Sequence, residues 1–286
     1  MQGMKYAIMS DVHSNPMALE TALKDARSRG CRKFILLGDI TGYGYDAGRA
    51  LAIVRKEFDV VLMGNHDSAC VGLEPSWEVM MIPNYDIDRA QREMLTKDDV
   101  DWIRALDYTY KTGGAVFTHG DFTQPKSWNY IFSCEEAVRN FFSRTEKLMF
   151  CGHTHHAAIW EQNKKGEFKS KSEKRFRTPA VKPETITFTP RNESRYIVNV
   201  GSVGYPRNDL CSTYCIWDNV ANKVTIRRLP FDFKGYIIEM LKHNVELPRW
   251  LAELLMKAKS KSVLCAGKGS RDERRAHRTL RLARND

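Results

Sequence analysis

Three short apolar runs in the first 63 residues are separated by segments with helical spacing, and this alternation constrains the fold more than any other feature of the chain. Residues 5–9 read as a buried strand. Asn15 suits a helix N-cap and Pro16 the first helical position. Leu19, Ala22, Leu23 and Ala26 then recur at helical spacing, and Gly30 suits the C-terminal cap. Residues 33–37 form a second predicted strand. Asp46 can cap a helix bearing Ala47, Ala50, Leu51 and Val54, and residues 59–63 form a third strand. Strands and helices in this order predict parallel β-α-β units in a sheet covered on both faces.

Two capping boxes, Thr96 with Asp99 and Ser133 with Glu136, predict helices further along. Residues 115–118 and 147–150 read as strands. After Cys151 the pattern changes to strands at 157–160, 185–188, 196–200, 213–217 and 224–228, with a hairpin turn at 218–222. The second half is therefore expected to be strand-rich and largely antiparallel. Residues 161–183 are polar and basic, which fits an exposed hairpin extension or a mobile loop. A last helical stretch runs from about 234 to 257, interrupted at Pro248. The main domain is expected to span 1–256, followed by a basic tail over 257–286 whose composition favours disorder.

Composition excludes several classes. At 286 residues, 42% hydrophobic and 28% charged, the chain can bury a core without disulfides or metal staples. No apolar run approaches the ~18 residues of a membrane span, and the N-terminus lacks the apolar stretch of a signal peptide. A cytoplasmic location without membrane contact is therefore expected. The seven cysteines are odd in number and form no C-x-x-C pair, which fits reduced thiols. The formal charge of +10 suggests a nucleic-acid partner until it is located: residues 257–286 carry +7 of it and the rest only +3. Lys and Arg in the tail could contact phosphates, but the tail has no aromatic residues to stack on bases. A nucleic-acid partner is therefore not the favoured reading.

The chemistry lies at the strand ends. The first strand leads into Asp11-Val12-His13, the second into Gly38-Asp39 and the third into Gly64-Asn65-His66-Asp67. The strands at 115–118 and 147–150 lead into His119-Gly120 and Gly152-His153-Thr154-His155. In α/β sheets the C-terminal ends of strands are where ligands bind. Five of the eight histidines fall in these clusters. Asp, Asn and His offer oxygen and imidazole donors suited to first-row divalent metals, and no cysteine joins them. Two Asp, one Asn and four His exceed the needs of one ion, and one Asp can bridge. That is the inventory of a two-metal hydrolytic site.

The ordered series D-x-H, G-D, G-N-H-D, H-G and G-H-T-H resembles the calcineurin-like metallophosphoesterase superfamily over residues 4–230. Ser10-Asp11-Val12-His13-Ser14-Asn15, Gly38-Asp39-Ile40-Thr41-Gly42-Tyr43-Gly44 and Asn199-Val200-Gly201-Ser202-Val203-Gly204-Tyr205-Pro206-Arg207 resemble a prokaryotic-type branch of small phosphoesterases. That branch usually has a proline soon after Gly-Tyr-Gly, where this chain has Tyr45-Asp46. The resemblance implies an α/β fold, a four-layer α/β/β/α sandwich of two mixed sheets with the metals at one edge. It implies two divalent ions, manganese first, with Fe, Co, Ni or Zn as alternatives. Asp11, His13, Asp39 and His155 would hold one ion. Asp39 would bridge to a second ion held by Asn65, His119 and His153.

The implied reaction is in-line attack on phosphorus by a hydroxide held between the ions. His66 follows a ligand, so it is expected to protonate the leaving group or stabilise its charge. Asp67 is a candidate to orient His66, with a turn or helix cap as the competing role. Arg207 is a candidate for a substrate phosphate. Asn15 is a weaker substrate-binding candidate, since its cap role is enough to explain it. Ser/Thr protein phosphatases in the superfamily carry an arginine in G-D-x-x-D-R-G and favour G-N-H-E, and this chain has neither. A small phosphodiester, a nucleotide or a dinucleoside polyphosphate is the expected substrate. Phosphomonoesterase, protein phosphatase or nuclease activity on the same centre, and a non-catalytic scaffold, are the alternatives. Oligomeric state is not readable from the sequence.

Overall fold

The structure, a computed structural model, describes residues 4–73, 85–170, 182–207 and 211–245. These fall into two compact units, one through Phe231 and one from Asp232. The expected tail at 257–286, and the helical stretch beyond 245, lie outside the described residues.

The first unit opens with β1 (Lys5–Met9), α1 (Pro16–Ser28), β2 (Lys33–Leu36), α2 (Ala47–Glu57), β3 (Val60–Val61) and α3 (Asn65–Cys70). Two further helices follow, α4 (Tyr85–Arg92) and α5 (Lys97–Arg104), then β4 (Thr109–Thr112) and β5 (Ala115–Thr118). After a short 3₁₀ turn at Pro125–Ser127 come α6 (Cys134–Ser143), β6 (Leu148–Cys151), β7 (Ala158–Gln162) and β8 (Phe168–Ser170). The unit closes with β9 (Glu184–Phe188), β10 (Arg195–Asn199), β11 (Cys211–Asp218) and β12 (Lys223–Pro230). The second unit's described part is α7 (Phe233–Lys242), capped by Asp232, which accepts from Gly235 N.

Two six-stranded sheets result, in the orders β3-β2-β1-β11-β12-β9 and β4-β5-β6-β10-β7-β8. β1, β2 and β3 are mutually parallel, and β11 joins antiparallel to β1, with Ala7 opposite Ile216. In the second sheet β5, β6 and β10 are parallel, and β7 returns antiparallel to β10. Both sheets are mixed.

Side chains alternate across each strand, and this places the core. Ala7 and Met9 pack outward with Leu19, Ala22, Leu51 and Val54 of α1 and α2. Ile8, between them, faces Phe117, Phe150, Val198 and Trp217 in the layer between the sheets. Met149 and Ile197 turn the other way, to Ala137 and Phe141 of α6. The layers are therefore helix, sheet, sheet, helix, the expected α/β/β/α sandwich. An ion pair also joins α1 to the sheet: Arg227 donates through Nε and Nη2 to the two Asp25 oxygens, each at 2.9 Å. The Tyr214 hydroxyl donates to the same carboxylate at 2.6 Å.

The caps fall where the sequence predicts. Asn15 accepts from Ala18 N, Asp46 accepts from Arg49 N, and both capping boxes are formed. Two strands were not predicted. β4 and β8 are short edge strands that carry Lys111 and Lys169 among polar neighbours and show no apolar alternation. β8 pairs with β7, so the first part of 161–183 is a hairpin extension; residues 171–181 lie outside the described residues. The predicted strand at 59–63 shortens to Val60–Val61. Past Leu62, Met63 N donates to Asp107 O, and the chain turns into α3.

Candidate metal centre

The strand ends bring the five motifs to one edge of the sandwich in backbone conformations that side chains disfavour. Asp11, His13, Asp39, His153 and His155 all have φ between 46° and 65°. Each left-handed non-glycine residue costs on the order of 1 kcal/mol or more. Five such residues in one place mark strain held by the surrounding fold in order to aim side chains. Glycines supply the room between them: a Cβ on Gly64 would collide with Asp39 Oδ1, and one on Gly152 with Ser10 Oγ and Asp11 Oδ2.

The donor atoms form two clusters that share Asp39: Asp11, His13, Asp39 and His155, and Asp39, His119 and His153. Within each cluster the candidate donor atoms lie within 4.8 Å of one another, and all these residues are buried. Asn65 Oδ1 joins the second cluster, 3.1 Å from His119 Nε2. The structure thus brings together the seven residues that the sequence singled out as ligands.

The hydrogen bonds around the clusters turn unshared donor atoms inward. His13 Nδ1 lies 2.9 Å from Thr41 O, and His155 Nδ1 lies 2.7 Å from Tyr205 O. His153 Nε2 lies 2.8 Å from Trp128 O. A carbonyl only accepts, so these three nitrogens carry the protons. The opposite nitrogens then present lone pairs inward. His13 Nε2 and His155 Nε2 face each other at 3.0 Å with no proton between them. The carboxylates repeat the pattern. Asp11 Oδ2 accepts from His153 N, and Asp39 Oδ1 accepts from His66 N. Their other oxygens, Asp11 Oδ1 and Asp39 Oδ2, are buried without a hydrogen bond. Orphaned carboxylate oxygens beside imidazole lone pairs are expensive unless a cation joins them. The residues therefore fit a divalent metal site, with second contacts that orient each ligand.

Protonation follows the same logic. Burial drives His13 and His155 well below the ordinary histidine range and His153 down to about 3, so all three are neutral. Burial also opposes a charge on His119, but the Asp39 carboxylate beside it outweighs that and lifts it to about 8. Burial would raise Asp39, but the His119 and His66 charges hold it well below the carboxylate range.

His66 sits beside this centre. Its Nδ1 lies 3.0 and 2.9 Å from the two oxygens of Asp88, which is fully buried. Burial opposes a charge on His66, but Asp88 and Asp39 raise it well above the ordinary value. The expectation for Asp67 is corrected here. Its carboxylate accepts from Ile40 N, Thr41 N, Thr41 Oγ1 and Gly64 N, so it closes the α3 capping box and clamps the Asp39 loop. Asp88 has the place beside His66 that the sequence reading gave to Asp67. Asn15 is committed at both ends, accepting from Ala18 N and donating to Gly204 O. It is a fully buried structural cap. Arg207 lies at the rim, with Nη2 3.4 Å from Tyr43 Oη.

Three contributors escaped the sequence reading. Asp88 and Gln91 both come from α4. Gln91 accepts from Ser14 Oγ and Gly42 N and donates to Gly44 O, which ties two motif loops together. Asn199 donates to Gly152 O and Thr154 Oγ1, which holds the loop carrying His153 and His155. Asn199 had a signal in the run 199–207. α4 had none, because its contribution depends on tertiary contact.

This assembly, two shared-carboxylate clusters at the strand ends of a double sandwich, is that of a metal-dependent phosphoester hydrolase. Residues 4–222 match the calcineurin-like phosphoesterase superfamily domain, and the chain belongs to that superfamily. It is 27% identical over 254 residues to the uncharacterized protein MJ0912 of Methanocaldococcus jannaschii, covering 87% of this chain and 96% of that protein. A metallophosphoesterase from Sphaerobacter thermophilus superposes with a TM-score of 0.71 at 27% identity, over 87% of this chain and 97% of that one. The hypothetical protein PH1004 of Pyrococcus horikoshii shares the fold, with a TM-score of 0.63 at 15% identity over 88% and 97% of the two chains. No helix among the described residues is long and apolar enough to cross a membrane.

Proposed function

We propose that the chain hydrolyses a small phosphodiester or nucleotide at a dinuclear centre. The observation that carries this reading is Asp39, whose Oδ2 lies 3.3 Å from His119 Nε2 in one cluster and 3.6 Å from His13 Nε2 in the other. Asp11, His13 and His155 would complete one ion's ligand set, and Asn65, His119 and His153 would complete the other's. Bound there, two divalent ions would supply charge for the phosphate oxygens and a water acidic enough to attack at neutral pH. Manganese is the first candidate, since mixed nitrogen and oxygen donors suit it and its neighbours.

The chain's own groups do the rest. The strained strand ends fix the donors before substrate arrives, so little reorganisation is needed during reaction. His66 donates a proton to the departing oxygen, and Asp88 holds the imidazole by Nδ1 and stabilises its charged form. Arg207 pairs with a phosphate oxygen at the rim.

The test is hydrolysis of bis-p-nitrophenyl phosphate and p-nitrophenyl phosphate, side by side, with Mn²⁺ and with EDTA. Metal content is measured on the same preparation. Mn²⁺-dependent diester cleavage at two ions per chain is expected. Cleavage of the monoester alone would overturn the diester reading, and one ion per chain would overturn the dinuclear one. No cleavage and no metal would return the chain to the scaffold alternative.

A further inference from the structure

Beside the second cluster stands an aromatic shelf that the metal chemistry does not use. The Tyr130 ring lies on the His153 imidazole at 4.1 Å between centroids and 8° between planes. Phe132 stacks on Tyr130 at 5.1 Å and 27°. Both rings face solvent, Tyr130 at 42% and Phe132 at 52% exposure. Leu73, Met94, Phe142 and Val220 are also exposed among the described residues, but Tyr130 and Phe132 stack together and reach the centre.

The shelf is built rather than loose. Trp128, in a left-handed conformation at the start of the segment, holds His153 through its carbonyl. At the other end Phe132 N donates to the Glu136 carboxylate at 2.7 Å, within the α6 capping network. Ile131 between the two rings is buried. The backbone is pinned at both ends while the rings stay open. Such aromatic rings offer contact area at little cost in conformational entropy. Arg207, which acts electrostatically on His13, His155 and Tyr130 alike, adds a cation at the same rim.

We infer that Tyr130 and Phe132 form a base-stacking subsite, so that the substrate is a nucleoside phosphate ester with its phosphate at the metal centre and its base on the Phe132 ring. This rests on the reading of the centre as a phosphoester site. Tyr130 touches His153 directly, and Phe132 touches Tyr130 and, at 6.2 Å between centroids, the His156 ring. Every nucleobase has a face to stack, so the subsite selects for nucleosides over plain sugar or alkyl esters and is tolerant of base identity.

The test is direct binding. Adenosine 5′-monophosphate and ribose 5-phosphate are titrated calorimetrically into the Mn²⁺-loaded full chain. Stacking contributes ~1–3 kcal/mol per base, so the nucleotide should bind roughly 5- to 150-fold more tightly than the sugar phosphate. Phe132→Ala should erase that difference, and Phe142→Ala, a control at an exposed ring on α6, should leave it unchanged. Equal affinity of the two probes for the unmodified chain, or a preference that survives Phe132→Ala, would overturn the subsite. A preference that Phe142→Ala also erases would do the same. Bis-p-nitrophenyl phosphate cleavage by the same preparation judges the phosphoesterase reading separately, since it can fail while the nucleotide preference stands, and the reverse.

Discussion

Replacing Asp88 with asparagine isolates one interaction and leaves the centre otherwise intact. The carboxylate is fully buried and meets His66 Nδ1 at 2.9 and 3.0 Å. Asparagine keeps the size and one acceptor but loses the charge that stabilises the imidazolium. A hydrogen bond to a charged group contributes about 1.5–3 kcal/mol, which converts to roughly 10- to 100-fold in a step that needs His66 to give up a proton. That loss should depend on the leaving group. A p-nitrophenolate departs with little help from an acid, whereas an alkoxide needs a proton as it leaves. The assay is kcat for phosphodiesters that share one arm and differ in the leaving group, with metal content measured on each preparation. Asp88→Asn should lose little on the nitrophenyl ester and most on the alkyl ester, with metal content unchanged. His66→Ala should show the same slope, and the double variant should be no worse than His66→Ala alone. An equal loss across leaving groups, or a loss of metal, would refute the assignment of Asp88 to the proton donor.

Other perturbations test the rest of the frame. Asp39→Asn removes the donor common to both clusters, and metal analysis should show affinity falling by at least ~100-fold while His66→Ala keeps its ions. His119 is held near pKa 8 by Asp39 when no ion is present, so metal binding must displace its proton. Affinity measured by competition titration should therefore fall about tenfold per pH unit below pH 8 and level off above it. Asp25→Asn leaves the Arg227 guanidinium buried without its carboxylate, which should cost about 3 kcal/mol and lower Tm by roughly 6 °C or more. Burial would raise Asp25, but Arg227 and Tyr214 hold it below the ordinary value. Its stabilisation is therefore present above about pH 4 and lost as pH falls through the folded value. The Tm gap between Asp25→Asn and the unmodified chain should close in acid.

What the sequence by itself determined follows from local rules. The 3.6-residue spacing of Leu19, Ala22, Leu23 and Ala26 and the caps at Asn15, Asp46, Thr96 and Ser133 act over a few residues, so they are legible in a single chain. The motifs at Asp11, Asp39, Asn65, His119 and His153 each end a strand, and strand ends in parallel β-α-β units gather at one edge. That is why seven residues spread over 145 positions group from the sequence alone. Tertiary structure decided the interactions in which the two partners carry no mutual spacing signal. Asp67 stands one residue from His66, and proximity in sequence made it the natural partner. In the helical turn of α3 its side chain instead reaches back to Gly64 and the 40–41 loop, and Asp88 arrives from α4, 22 residues on. The strands β4 and β8 were invisible because they are three or four residues long and carry Lys111 and Lys169 among polar neighbours. The shelf of Tyr130 and Phe132 had no signal either, since two aromatics two residues apart read as strand or core until packing leaves their rings open beside His153. Short-range geometry is written in the order of residues, whereas a buried charge pair or an open ring is fixed only when distant segments close around it.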